Sequence, residues 1–308
     1  MVCSGNTKAR MYKLIPIAQA AQEFQREGLQ EDLVWSRFIK PLISTAPENV
    51  LNICSIVASE MINNSIDHSE SDKVLVTVTY TASTIDIVIR DFGIGVFKKV
   101  QQGFNLIDER QAIFELSKGK LTTAPEGHSG YGIFFSSRMV DLFKMWSGKL
   151  FFTHIRNDGD WLIEIGDEIS GTLVEMTVAT NSKLRAVEVY DKFCRDVDSE
   201  LGFTRTHVPL KLAEFGAESL VSRSQAKRVL ARFERFSEVM LDFHGIEMVG
   251  QGFIDEIFRV FANTHSAVTI KAINANKHVQ QLIQLAKNTS STKTAAAVSR
   301  GTGMTQLD

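Results

Sequence analysis

Glu60, Asn64 and Asp67 recur at helical spacing, and two glycine-rich segments follow them, Asp91-Phe92-Gly93-Ile94-Gly95 and Gly127-His128-Ser129-Gly130-Tyr131-Gly132. Stepping through Asn49, Ile53, Ile56, Glu60, Asn64 and Asp67 by threes and fours puts these side chains on one helical face. The stripe is apolar in its middle and polar from Glu60 onward. An inward-facing carboxylate and amide are costly unless partnered. That cost makes sense if the helix end borders a pocket for a hydrated cation and a phosphate. In such a pocket Asn64 offers a neutral oxygen to Mg²⁺, a cation that takes oxygen ligands and keeps several waters. Glu60, one turn earlier, is placed to polarise a water for attack on phosphate. A helix end emerging into solvent gives the same spacing. His68 has a plainer reading too, since a histidine near a helix C-terminus suits the macrodipole.

Asp91 closes the alternating run Ile85–Arg90. A carboxylate at a strand end can accept a hydrogen bond from an exocyclic amine, and the glycines after it let the backbone approach a flat ring. A buried carboxylate reading an amine discriminates between bases, because the wrong base leaves it unpaired. A hairpin turn explains the same Asp-x-Gly-x-Gly. The second cluster precedes an apolar helix carrying Ile133, Phe134, Phe135, Met139 and Val140. Glycines opening a helix expose unpaired N–H groups, an anion site; a flexible loop is the plainer alternative. The spacing is neither the dinucleotide fingerprint nor a P-loop.

These groups need elements to hold them. Pro47-Glu48-Asn49 opens a helix running to about His68. Alternation predicts strands over 74–80 and 85–90, then over 149–155, 161–165 and 172–178. A polar segment, 98–126, separates the glycine clusters, and a helix is predicted from Tyr131 to about Lys144. Upstream, a helical stretch over roughly 17–39 reads as an extension packed on this domain. The remainder alternates: strand 208–215, helix 219–236, strand 238–243, helix 253–261, strand 268–273, helix 277–287, which implies a small α/β domain with parallel crossovers. The domains expected are an N-terminal helical extension (1–45), a first α+β domain with a mostly antiparallel sheet (46–181), a charged connector (182–205), a second α/β domain (206–287) and a disordered tail (288–308).

A formal net charge of −2 gives no electrostatic case for nucleic acid or anionic membrane. No apolar run reaches the roughly 20 residues a bilayer span needs, and Met1–Arg10 lacks a signal-peptide core. Cys3, Cys54 and Cys194 are too far apart for a metal site or disulfide framework and read as inert thiols, so the expected compartment is the cytoplasm.

In their order, the three constellations resemble the GHKL superfamily of gyrase-type topoisomerases, heat-shock chaperone, histidine kinases and MutL proteins. Glu60–His68 resembles the N box, Asp91–Gly95 the G1 box, His128–Ile133 the G2 box, and Gly171-Thr172 the threonine position supporting adenine recognition. The resemblance covers about 45–180 and implies a Bergerat α/β sandwich binding ATP with Mg²⁺. It implies Asn64 on Mg²⁺, Asp91 on the adenine amine, Gly93 and Gly95 shaping the base pocket, and Gly130 and Gly132 on phosphates in a mobile lid, roughly 97–128. Asp67, Tyr131 and Thr172 join the cofactor-binding set, and Glu60 matches the catalytic acid of the hydrolysing members and of the anti-sigma-factor kinases. Most histidine kinases lack that carboxylate, and this chain has no upstream helix pair with a phosphoacceptor histidine. Lys118, Lys120 and Arg138 are in reach of phosphates by sequence, though solvated surface charge is the plainer reading.

Met240–Glu247 and Gly250–Glu256 resemble the STAS-like partner domain of some bacterial GHKL proteins, but Val249–Phe253 lacks the serine that is phosphorylated in STAS antagonists. The resemblance implies a regulatory ATPase or nucleotide switch with a STAS-like protein-interaction domain. The alternatives are an anti-sigma-type serine/threonine kinase acting on a separate partner and a non-catalytic ATP-binding scaffold. A homodimer is compatible with the family, and a nucleic-acid partner is disfavoured.

Overall fold

The computed structural model describes residues 2–4, 11–121, 130–194, 203–214 and 219–288. The chain divides into two compact units at 192/193.

The first unit begins with a two-stranded ladder, β1 (Val2–Ser4) and β2 (Met11–Lys13). It is then built on a five-stranded antiparallel sheet: β3 (Ala18–Gln25), β4 (Lys73–Tyr80), β5 (Thr84–Asp91), β6 (Leu142–Ile155) and β7 (Gly159–Ala179), in the order β3-β4-β5-β7-β6. Strands β4 and β5 alternate strictly, burying Val74, Val76, Val78 and Tyr80 on one and Ile85, Ile87, Ile89 and Asp91 on the other. That is the half-covered sheet their sequence pattern requires.

The helices are α1 (Glu31–Val34), running through a π-helical turn (Trp35–Ile39) into α2 (Lys40–Leu42), then α3 (Glu48–Asp67), α4 (Val96–Phe104), α5 (Glu109–Lys118), α6 (Gly132–Met139) and α7 (Ala186–Phe193). Helix α3 packs on β5 and β7, while α4, α5 and α6 pack on β6. The result is the two-layer, mostly antiparallel α+β sandwich expected.

Several expectations need correction. Residues 18–25 are a strand, although Ala, Gln and Glu favour helix. The free edge of β4 supplies an eight-residue ladder, Ala18 opposite Tyr80 through Gln25 opposite Lys73, and tertiary pairing overrides propensity. Helix α6 stops at Met139 rather than near Lys144, because Leu142–Trp146 alternates and buries Phe143 and Met145 against β7. The two strands expected over 161–165 and 172–178 are one, β7. The polar segment 98–126 holds most of α4 and all of α5, with Val100, Ile113 and Phe114 buried. Asp108 caps α5, its side chain accepting the Gln111 N–H at 2.9 Å.

The second unit has a three-stranded parallel sheet, β8 (Arg205–Pro209), β9 (Glu238–Asp242) and β10 (Thr269–Ile273), ordered β8-β9-β10. Strand β8 ends at Pro209, short of the expected residue 215, because Leu210–Ala213 winds into a 3-10 turn. The helix expected over 219–236 is confined to α8 (Arg223–Leu230) by a capping box of Ser222 and Gln225 at its start and a 3-10 turn, Phe233–Arg235, beyond its end. A continuous helical rod follows β9: α9 (Gln251–Asp255), a π-helical stretch (Glu256–Phe261) and α10 (Ala262–Thr264). Helix α11 covers 277–288. The tail from 289 lies outside the described residues. Among the described residues no helix is long and apolar enough to cross a membrane.

Candidate functional site

Asp91 occupies an inward position on β5 that Ile85, Ile87 and Ile89 fill further along. It is 3% exposed. Its Oδ1 accepts two backbone hydrogen bonds, from the Gly93 N–H at 3.0 Å and the Thr172 N–H at 3.1 Å. Burial pushes its carboxyl above the usual aspartate range, opposed by those N–H groups and by Arg90. Thr172 ties two segments together, because its Oγ1 also accepts the Val96 N–H at 3.0 Å, where α4 begins.

The turn after Asp91 needs its glycines. A β-carbon on Gly93 would overlap the Ser69 carbonyl oxygen, which accepts the Ile94 N–H at 2.8 Å. Gly171, at φ +73°, lies as tightly on Asp91 itself. The turn thereby fastens the end of β5 to the segment leaving α3.

Asp91 and Thr172 open on a cavity of about 330 Å³. Its polar wall comes from α3, with Glu60, Asn63, Asn64, Ser65 and His68. Its apolar wall includes Ile89, Val100, Leu116, Ile133, Met145 and Val174. Gly130 and Gly132 complete it at the start of α6. The Gly130 carbonyl accepts the Leu121 N–H at 3.3 Å, and a β-carbon on Gly132 would overlap the Glu60 carboxylate. Lys99 stands on the rim in an ion pair with Glu70, and its hydrogen bond holds the Glu70 carboxyl below its usual range.

The structure therefore brings Glu60, Asn64, Asp91, Gly130, Gly132 and Thr172 to one cavity. Gly93 and Gly95 shape the turn beside it without lining it, and Tyr131 packs its ring edge-on to Phe135 at 6.3 Å. Asp67 is exposed and outside the lining. The buried centre of α3 runs through Val50, Cys54, Val57, Met61 and Ser65. The expected stripe is thus the border of the buried face, and its last member has passed the cavity. Gly127, His128 and Ser129 lie outside the described residues, as does 122–128 of the expected lid. Burial pushes the Cys54 thiol up to about 12, as befits an inert core residue.

Lys118 and Arg138 are not surface charges. Lys118 is fully buried, its Nζ 2.7 Å from Glu115 Oε1 and over the Phe114 ring. The Arg138 side chain is 7% exposed, over the Phe134 ring, with Asp160 at 3.8 Å. Asp160 in turn meets His154 Nδ1 at 2.8 Å. His68, noted in the sequence with a plainer reading at a helix end, lines the cavity, whereas Lys99 and most of the apolar wall carried no sequence signal, because only the fold gathers them.

Residues 7–149 match the family model described as a histidine kinase-like ATPase domain, and residues 225–280 match that of a STAS-like domain of unknown function. No curated protein matches the chain.

Proposed function

We propose, from the premise that this chain joins a histidine kinase-like ATPase domain to a STAS-like domain, that it is an ATP- and Mg²⁺-dependent regulatory ATPase whose nucleotide state is read out through the STAS-like domain. The observation that carries the reading is Asp91: a nearly buried carboxylate on an otherwise apolar strand face, fixed through Oδ1 and opening on the cavity of Glu60 and Asn64.

The residues present fit a purine nucleotide. The apolar wall suits a ring, and Asp91 supplies the acceptor for an exocyclic amine beside it. The glycine-opened start of α6, which lines the cavity through Gly130 and Gly132, suits phosphate. Among the described residues no cluster of three His, Cys, Asp or Glu could hold a metal alone. In this reading a Mg²⁺ would be held by Asn64 together with phosphate oxygens and water. Bound ATP supplies the activated phosphoanhydride. Within this reading Asp91 selects the base, Asn64 orients the cation, and Glu60, beside Gly132, orients a water and takes its proton. We assign the nucleotide domain to about 46–181, with β3 completing its sheet, and the docking domain to about 206–287.

The test follows the label of terminally labelled ATP, with Mg²⁺, in wild type, Glu60→Ala and Asn64→Ala. The proposal expects free phosphate from wild type and a loss of about 10²-fold or more in both variants. Label transferred to a protein would favour a kinase. Binding without turnover would favour a scaffold, and absence of binding would reject the reading altogether.

A further inference from the structure

A second concavity, of about 260 Å³, lies in the second unit between α8 and the rod of α9 and α10. Leu230 at the end of α8 and Ala231 just beyond it form one wall, and Val260 and Phe261 the other. Phe261 carries the His265 ring stacked on it at 4.0 Å, nearly parallel, which makes a flat aromatic platform.

Into this mostly apolar groove opens Glu256, which is 7% exposed. No described residue gives it a hydrogen bond or an ion pair. Its one electrostatic neighbour, Arg259, is already engaged by both oxygens of Asp255. Lys227 lines the groove mouth and makes no ion pair with Glu256. The residue is largely covered, yet its carboxylate oxygens stay open to the groove, where a cation entering it would meet them. The π-helical stretch begins at this residue, and π-helical turns are frequent at functional sites.

We propose that this groove receives an arginine side chain from a protein partner, its stem against Leu230 and Val260 and its guanidinium on Glu256. The volume is below that of most small-molecule pockets and suits one long side chain. A groove whose walls include Leu230 and Val260 beside a carboxylate matches a side chain whose stem is apolar and whose head is charged. The Phe261–His265 platform favours a planar guanidinium over a compact ammonium. Buried arginine anchors are recurrent hot spots of protein interfaces. The inference does not depend on the nucleotide reading.

The experiment titrates the isotopically labelled full chain with N-acetyl-arginine amide, and separately with neutral N-acetyl-glutamine amide, following backbone amides by NMR. Saturable shifts confined to 227–231 and 256–265 are expected for the arginine probe alone, weakened at least about 10-fold in Glu256→Gln. The thermal midpoint of ligand-free Glu256→Gln is expected to stay unchanged, since no described residue of the fold is held by the carboxylate. Equal responses to both probes, no response at these residues, or arginine binding retained in Glu256→Gln overturns the proposal. A lowered midpoint overturns it too, by showing that the carboxylate stabilises the fold from within.

Discussion

Gly132 abuts Glu60 so closely that a β-carbon on it would overlap the Glu60 carboxylate. The missing side chain at the first residue of α6 thus sets how near that carboxylate comes to the helix N-terminus. What would be struck is the far end of a flexible side chain, so Gly132→Ala can be accommodated by swinging Glu60 aside. The variant should keep its unfolding midpoint, helped by the better helix propensity of alanine. Its Mg²⁺-ATP turnover should fall at least about 10-fold, because a displaced base loses alignment. A coupled phosphate-release assay and a thermal melt on the same sample decide the matter; unchanged turnover would remove Glu60 from the chemistry.

Gly93 makes the contrasting case. A β-carbon there meets the backbone carbonyl of Ser69, which cannot rotate out of the way. Gly93→Ala should therefore destabilise the first unit, by roughly 1–3 kcal/mol as overpacking typically does, and weaken nucleotide binding only as a consequence. Urea titration monitors the first effect. A variant of wild-type stability would mean that the turn at the end of β5 is looser than its geometry implies.

Asp91 links stability to pH with a definite sign. Burial raises its native pKa, against the pull of the Gly93 and Thr172 N–H groups. The folded chain then holds the proton more tightly than the unfolded chain. Its favourable contribution is complete below the ordinary aspartate pKa and is lost as pH rises through the raised native value. At neutral pH the ionised group is a net cost when no ligand is bound. Asp91→Asn should raise the melting temperature of ligand-free protein at neutral pH, a gain that vanishes in acid. It should also weaken adenine-nucleotide binding by about 10²-fold. Melting curves at both pH values, with calorimetric titration of ATP, test the pair; a destabilised Asn variant at neutral pH contradicts the sign.

Arg138 belongs to the architecture beneath α6. Truncating it removes a buried cation 3.8 Å from Asp160, whose carboxylate side chain is 1% exposed and also meets His154 at 2.8 Å. Arg138→Ala should cost about 3–5 kcal/mol, the usual penalty for breaking a buried pair. Arg138→Met combined with Asp160→Asn should recover most of it. Denaturant midpoints for the two variants provide the measurement, and a single substitution costing nothing would return Arg138 to the surface role its sequence suggested.

What could be read from the chain was what is local. The Asp-x-Gly-x-Gly turn follows directly from an alternating strand, so its place at the end of β5 is legible at a glance. The periodicity of α3 placed Glu60 and Asn64 beside the cavity, but it carries no marker of which neighbouring stripe faces inward. The stripe read from spacing therefore falls on the border of the buried face and includes Asp67, which lies outside the cavity lining. Strand β3 was hidden because helix propensity outvotes an eight-residue pairing that only β4 can offer. The burial of Lys118 had one available signal, Glu115 three residues earlier on the same helix. Glu256 had none, since neither its burial nor its want of a partner can be seen before α8 packs against the rod.

The inward face of β5 runs Ile85, Ile87, Ile89, Asp91. One alternation therefore encodes both a stretch of the core and the carboxylate at the cavity. A strand mispaired by a single residue would expose the isoleucines and withdraw the aspartate together. A ligand held by Asp91 would bind only the correctly registered sheet and would stabilise it by mass action. The ligand would thus act as proofreader of the sheet, rewarding during maturation the one pairing that can later use it.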